Sequence, residues 1–358
     1  MFEKSRRSRL SLFGMSAAAA LAVVSLGADV AQAQSSVVLQ TTSVFPESDF
    51  SSDVTRYWAD RVRERTEGRV DFRYFWAGSL VGNRTLDGIQ DGLVDVAVQF
   101  TSYVSGDIVD LGVLDLPFSM PLDAPGLAQF HRDVRPAIER IYARYDAVVV
   151  AAAPMILPDP ITCRDGFLSG PAAWEGKLVR AAGRWHSQAI QAWGGSPLVV
   201  PPTELYSALD RGTADCTLMV YNGVNSMNLY EVAPYITRAD HSVALGTINI
   251  RRDVWERISE EDRKIMLEIG DEVVDWAAEE TVRRLDGVLE ELQEGGAMMC
   301  VPSEEEFERL VGAMDGLIER LKSEVSEDGA EIIRVVEASR QDVTQRPTTG
   351  PQDVCPVE

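Results

Sequence analysis

Residues 174–216 read WEGKLVRAAGRWHSQAIQAWGGSPLVVPPTELYSALDRGTADC, and the pattern of this stretch is the strongest indication of the fold class. Short apolar runs within it predict strands at 177–181, 196–201 and 214–220. The two segments between them, 184–195 and 202–212, have the apolar spacing of helices and end on glycine. Because strands and helices alternate at this spacing, the stretch predicts an α/β unit with a mainly parallel sheet.

The first half of the chain repeats this alternation. Its apolar patterns predict strands at 36–43, 69–76, 94–100 and 147–154, and helices at 52–68, 84–93 and 127–145. The helix at 52–68 begins with Ser and Asp, carries Val54, Trp58 and Val62 on one face and stops at Gly68. The α/β pattern therefore covers both halves of the chain.

A long helical pattern extends roughly from Ser259 to Gln293. A helix of this length does not fit inside one compact domain, so we expect it to lie across two. We predict a first domain of residues 35–158 and 247–290, a second domain of 159–246 and 291–345, and a tail of 346–358.

The N-terminus has the pattern of an export signal. Basic residues precede the apolar run LFGMSAAAALAVVSLGA, and Ala-Gln-Ala at 31–33 fits a signal peptidase site. Residues 1–33 are therefore predicted to be removed, which places the mature protein in the periplasm. Arg6-Arg7 leaves both the Sec and the twin-arginine export routes open.

The formal net charge is −22, so the chain is strongly acidic. Nucleic acids and anionic membranes bind basic surfaces, and neither is expected as a partner. No later stretch is long and apolar enough to predict membrane insertion after signal cleavage. A small organic anion is still possible as a ligand, because one buried arginine decides a pocket.

The cysteines are widely spaced and show no metal-binding pattern. In an oxidising compartment Cys300 and Cys355 would fasten the Pro-rich tail. Cys163 with Cys216 is the second pairing, and free buried thiols are the alternative.

Enzyme signatures fail on inspection. The segment GPAAWEGKL lacks the spacing and the Ser or Thr of a phosphate-binding loop. His131, His186 and His241 have neither the spacing of a zinc site nor a matched carboxylate for a catalytic triad. The sequence therefore predicts a protein that is not an enzyme and needs no cofactor or metal.

Several phrases, in this order and spacing, resemble the solute receptors of tripartite ATP-independent periplasmic (TRAP) transporters. They are YWADRVRERTEGRVDFRYFWAGSLVGNRTLDGIQDGLVDVAV at 57–98, LDLPF at 114–118 and the block at 174–216, with its Gly-Lys-x-x-Arg and Glu-x-Tyr-x-Ala-Leu-x-x-Gly-x-x-Asp patterns. The resemblance covers nearly the whole mature chain. It implies a type II-like periplasmic binding fold with hinge strands and a long helix bridging both domains.

Arg180 ends an apolar strand, where an unpaired cation is costly. A solvated loop arginine or a structural ion pair is the alternative reading of this residue. The resemblance places Arg180 on the arginine that holds the ligand carboxylate in a two-point salt bridge. A planar guanidinium suits this role, because its fork of donors matches a carboxylate.

The resemblance implies further ligand contacts in both domains. In the first domain they are Ser43, Phe45, Asn83, Gln99, Phe100 and Thr101, and in the second they are Arg164, Trp185, Met219, Tyr221 and Asn222. Arg164 could instead pair with Asp165 or Asp159, and Trp185 could belong to the core, as we expect for Trp193. Met219 gives a less polar wall, which would suit a small or partly apolar carboxylate.

The resemblance implies a receptor that binds an organic anion in a cleft and presents it to the membrane subunits of a TRAP transporter. Hinge closure over the ligand is expected. A sensing protein that reports its ligand to a membrane kinase is the alternative, and the sequence does not separate the two.

Overall fold

The computed structural model describes residues 36–241, 245–343, 347 and 350–356. The predicted signal peptide lies outside these residues. Within the described part of the chain, no helix combines the length and the apolar character that a bilayer span requires.

The first sheet contains five strands, numbered here in chain order through the whole molecule: β1 (Val37–Thr42), β2 (Val70–Phe75), β3 (Val96–Phe100), β4 (Ala147–Pro154) and β10 (Leu245–Arg251). They lie side by side in the order β2-β1-β3-β10-β4. Strand β10 is antiparallel to β3 and to β4, whereas β1 runs parallel to β2 and β3.

The second sheet contains six strands: β5 (Ile161–Cys163), β6 (Leu178–Ala181), β7 (Ser196–Val199), β8 (Cys216–Leu218), β9 (Tyr235–Thr237) and β11 (Met298–Cys300). Their order is β11-β9-β5-β8-β6-β7. Strand β5 is antiparallel to β8 and β9, and the other pairs are parallel. Each sheet is thus mainly parallel, as predicted, except for one strand that runs antiparallel to both neighbours, β10 in the first sheet and β5 in the second.

The helices surround the two sheets. They are α1 (Phe50–Arg65), α2 (Thr85–Gln90), α3 (Ala124–Ala143), α4 (Pro171–Trp174), α5 (Arg184–Trp193), α6 (Pro202–Asp210), α7 (Tyr221–Ser226), α8 (Arg252–Arg257), α9 (Glu260–Glu294), α10 (Glu304–Gly312), α11 (Asp315–Lys322) and α12 (Glu327–Val343). Short 3-10 helices cover Thr101–Tyr103, Val109–Asp115 and Leu229–Glu231. Residues from Ser36 onward form one compact unit.

Helix α1 shows how the sequence pattern becomes packing. The side chain of Asp49 accepts a hydrogen bond from the backbone N–H of Ser51 and caps the helix. The helix therefore begins at Phe50, two residues before the predicted start. Val54, Trp58 and Val62 are fully buried, so the predicted apolar face is confirmed. The burial of this face fixes α1 against the first sheet.

Helix α9 has the predicted length and contacts elements of both predicted domains. The side chain of Ser259 caps it by accepting from the backbone N–H of Asp262 at 3.1 Å. The helix packs on α1, α3 and β4, and it also contacts α7. It approaches β4 so closely that a Cβ on Gly270 would lie 1.8 Å from the carbonyl oxygen of Val150, which explains the glycine there.

Both cysteine pairs are disulfides, so the alternative of free thiols is excluded. Cys163 and Cys216 are direct partners across β5 and β8. Cys300–Cys355 fastens the tail to the end of β11, where the backbone N–H of Val301 also donates to Asp353 at 2.8 Å.

Candidate ligand-binding site

A cavity lies between the two sheets, next to the ends of β3, β6 and β8. Its volume is about 20 Å³ in this conformation. Its apolar lining consists of Phe45, Phe100, Ile156, Leu218, Met219 and Val220. Its polar lining consists of Ser102, Tyr103, Asp159, Arg180 and His186. A mostly apolar wall with a few polar groups is the usual composition of a small-molecule site.

Arg180 supplies the positive charge of this cavity and is 1% exposed. Its Nε donates to the carbonyl of Val200 at 3.0 Å, and its Nη1 donates to the carbonyl of Leu218 at 3.0 Å. Nη2 has no hydrogen-bond partner, and no carboxylate of a described residue lies within 4.0 Å of the guanidinium. This geometry favours an anionic ligand, because a carboxylate would supply the missing partner.

Two buried acids lie near Arg180 without forming an ion pair to it. Burial raises the pKa of Asp159 to about 8, although the charge of Arg180 lowers it. Burial also raises the pKa of Asp115 well above its ordinary value, although a hydrogen bond from Ser105 at 2.9 Å opposes this. Neither acid therefore supplies a hydrogen-bond partner for Nη2 of Arg180.

His186 lines the cavity and connects it to Asp115. Burial, together with the charge of Arg180, lowers the pKa of His186 to about 3. Its Nε2 lies 3.4 Å from Oδ1 of Asp115. Among the described residues, no group of His, Cys, Asp and Glu side chains is arranged to hold a metal ion.

The structure brings several of the predicted ligand residues together. Phe45, Phe100, Arg180 and Met219 line the cavity, and the two phenylalanine rings meet edge to face with centroids 5.2 Å apart. Ser43 and Thr101 are buried next to these residues in the chain, and neither is a lining residue. The apolar wall predicted from Met219 is present.

Tyr221 and Asn222 bind other protein groups. The hydroxyl of Tyr221 donates to Asp240 Oδ1 at 2.7 Å. Asn222 Nδ2 donates to both carboxylate oxygens of Asp49, at 3.0 and 2.9 Å, and its Oδ1 accepts from the backbone N–H of Leu157 at 2.8 Å. These side chains support the walls of the cavity from outside.

The remaining predicted ligand residues lie away from the lining. Gln99 donates to the carbonyl of the next residue at 2.9 Å, Asn83 lies in the turn before α2, and the guanidinium of Arg164 lies beside Gly212. Trp185 is fully buried and donates to the carbonyl of Ser105 at 3.2 Å. Trp193 is also buried, which confirms its predicted place in the core.

Sequence analysis missed Asp159, Tyr103 and His186 as lining residues. Asp159 stands between Pro158 and Pro160, a pattern typical of a turn. A usable signal was its position at the predicted start of the second domain, where the chain passes between sheets.

Two α/β sheets around a small cavity with an uncompensated buried arginine define a binding protein for a small solute. The model of the family described as bacterial extracellular solute-binding protein, family 7 (DctP), matches residues 42–145 and 168–325. The protein therefore belongs to this family. The resemblance to TRAP solute receptors is confirmed, and so is the conclusion that the protein is a solute receptor and not an enzyme.

Similar proteins include receptors of known ligand. The chain is 21% identical over 256 residues to the ectoine-binding periplasmic protein TeaA of Halomonas elongata, covering 69% of this chain and 73% of the relative. The extracytoplasmic solute receptor DctP7 of Bordetella pertussis, which binds pyroglutamic acid, gives a TM-score of 0.78 at 16% identity, with 84% and 100% of the chains covered. A TRAP solute-binding protein of Desulfovibrio salexigens with bound orotic acid gives 0.77 at 20% identity, with 86% and 99% covered.

Proposed function

We propose that this receptor captures a small organic acid in the cavity between its sheets and delivers it to the membrane subunits of a TRAP transporter. The observation that carries the proposal is the buried, unpartnered Nη2 of Arg180 at the cavity wall. A bound carboxylate would satisfy it, because a guanidinium edge presents parallel N–H donors to two oxygens.

The cavity favours a compact and partly apolar acid. Most of its wall is hydrocarbon or aromatic, and at a volume of about 20 Å³ in this conformation it has to widen to admit an acid. The similar proteins described above bind pyroglutamic acid, orotic acid and ectoine, and each of these molecules carries a carboxyl group. We infer a ligand of this size for the present receptor, acting in the periplasm.

The ligand is enclosed by closure of two lobes, with boundaries at residues 158 and 246 as predicted from the sequence. Contacts between elements of the two sheets support a closed conformation. Trp185 donates to the carbonyl of Ser105, and Asn222 binds Asp49 at the start of α1. The chain segment between β4 and β5 is part of the proposed hinge.

A screen of carboxylic acids by thermal shift would identify a ligand, because an acid that binds only the native state raises its stability. Arg180→Ala should then weaken binding of that acid by about thirty-fold to several thousand-fold in titration calorimetry, since a buried charge pair costs about 2 to 5 kcal/mol to break. Arg180→Lys should rescue poorly, because it keeps the charge and loses the planar fork.

Arg164→Ala is the matched control, since Arg164 belongs to the same half of the chain and does not line the cavity. It should leave the affinity unchanged. If a folded Arg180→Ala protein bound the acid within about two-fold of wild type, the carboxylate anchor would be elsewhere.

A further inference from the structure

Asp159 faces the same cavity as Arg180 and has no structural role that explains its burial. It is 2% exposed, and no hydrogen bond or ion pair from a described residue reaches its carboxylate. A buried carboxylate without a partner is costly. A donor on a ligand in the cavity would supply this partner.

The backbone holds Asp159 firmly in this position. Proline residues on both sides restrict the chain, and the carbonyl of Pro158 accepts from the backbone N–H of Tyr221 at 3.0 Å. The carbonyl of Asp159 itself accepts from the backbone N–H of His241 at 3.0 Å. The carboxylate is thus presented to the cavity by a fixed support, as a ligand contact requires.

We propose that the ligand carries a nitrogen–hydrogen donor as well as its carboxylate, and that Asp159 accepts the hydrogen bond from this donor. The proposal rests on the proposed function and specifies its ligand class: compact amino or imino acids and cyclic acids with a ring N–H. Arg180 and Asp159 would bind opposite ends of one molecule, since they share the cavity without contacting each other.

Other ligand classes fit the pair of charges less well. A hydrocarbon acid would leave the Asp159 carboxylate unpartnered, and a dicarboxylate would bring a second negative charge towards it. An amino or imino acid with a cationic nitrogen leaves the buried set of charges close to neutral, and a neutral ring N–H still supplies the missing donor. The raised pKa of Asp159, about 8 in the empty cavity, has burial as its first cause and agrees with a carboxylate that lacks its donor.

The test compares acids that differ only at the nitrogen. L-Proline is paired with cyclopentanecarboxylate, and L-pyroglutamate with 3-oxocyclopentanecarboxylate, each titrated into the exported protein by calorimetry. At least one nitrogen-bearing acid should bind about tenfold or more tightly than its carbon counterpart, because a hydrogen bond to a charged group contributes that much. Asp159→Leu, which removes the acceptor, should bring this ratio close to one, and Asp159→Asn should give an intermediate value.

Asp115→Asn is the matched control, because Asp115 is also fully buried near Arg180 and does not line the cavity. It should leave the ratio unchanged. A ratio near one in the wild type, a ratio that survives Asp159→Leu, or wild-type protein that binds neither nitrogen-bearing acid would each overturn the proposal.

One further result would identify an alternative role for Asp159, as a hydrogen-bond donor to the ligand. If the nitrogen-free acids bind best and their affinity falls as the pH rises from 6 to 9, Asp159 is protonated and donates to the ligand carboxylate, and the proposal is wrong. Arg180-dependent binding of any acid leaves the proposed function standing in each of these cases. Failure of every carboxylic acid in the thermal-shift screen contradicts both.

Discussion

At the scale of single residues, Arg180 differs from other arginines of this chain in what holds it. Arg69 pairs with Asp262 at 2.8 Å, and Arg309 pairs with Glu306 at 2.7 Å. Both pairs are partly buried, and each arginine has its carboxylate partner within the protein, so neither requires a ligand. Arg180 is fixed by backbone carbonyls, which orient the guanidinium and leave its charge uncompensated.

Asp159→Asn should flatten the dependence of stability on pH. Burial favours the protonated form of Asp159, whose pKa is about 8 in the folded protein against an ordinary 3.8. Its contribution to the free energy of unfolding is therefore complete below about pH 4 and declines as the pH rises towards 8. In urea titrations of ligand-free protein, the free energy of unfolding of the wild type minus that of the variant should decrease as the pH rises from about 4 towards 8.

Asp115→Asn provides a comparison with a second buried carboxyl group whose pKa is raised by burial. Asp115→Asn should also flatten the dependence of the free energy of unfolding on pH. A wild-type minus Asp159→Asn difference that stays constant or increases with pH would show that Asp159 is solvated in the empty protein.

The position of Arg180 at the cavity could be predicted from the sequence, because it depends on residues that are close together in the chain. The strand that ends at Arg180 and the helix that follows are both encoded within the block at 174–216. Asn222 could not be placed in the same way, because its partner Asp49 lies 173 residues away in the chain. Asp159 was missed for a related reason. The opposite sheet buries it, and its neighbours in the chain do not indicate this burial.

At the scale of elements, β8 connects the second sheet to the cavity. Its last residue, Leu218, supplies the carbonyl that accepts from Arg180 Nη1, and its first residue, Cys216, is joined to Cys163 of β5. The other disulfide, Cys300–Cys355, lies at the tail and touches no lining residue named above. The disulfides should therefore differ in their effect on binding.

Replacing either cysteine pair by alanine should lower the free energy of unfolding by about 4 kcal/mol, because the sequence separations of 53 and 55 residues close loops of similar size. Urea titration without reductant measures this loss. The Cys163→Ala/Cys216→Ala protein should also bind its acid more weakly, whereas Cys300→Ala/Cys355→Ala should retain the affinity. Equal affinities in the two variants would show that the disulfide of β8 does not support the binding site.

Helices were more predictable than strand directions. The apolar face of α1 and the span of α9 follow from local periodicity and capping residues, and the structure has both. The antiparallel course of β5 and β10 depends on where the chain passes between sheets, and a strand's residue pattern carries no information on this direction.

At the scale of the whole molecule, Gly183, just before α5, packs tightly against the 3-10 helix Thr101–Tyr103 from the first half of the chain. A Cβ on Gly183 would lie 2.3 Å from the carbonyl oxygen of Ser102. A side chain cannot lie at this distance without movement, so this close approach requires glycine. The φ angle of Gly183 is −165°, which any residue can adopt, so the constraint acts through space alone.

Gly183→Ala should therefore hinder closure without disturbing either sheet. We expect weaker binding of the acid, and a radius of gyration from solution scattering that stays larger in saturating ligand than that of the liganded wild type. Gly316→Ala is the control, because a Cβ there meets no atom within 4 Å. Compaction of Gly183→Ala to the wild-type radius would contradict the closure model.

The most direct measurement is a crystal structure of the exported protein with the acid that stabilises it most. We predict a carboxylate oxygen of this acid at about 2.7 to 2.9 Å from Nη2 of Arg180, the usual length of a charge-assisted hydrogen bond. An acid with its carboxylate turned away from Arg180 would contradict the account. So would an acid bound in the separate cavity that is lined by Asp49, Asn225, Arg284 and Glu291.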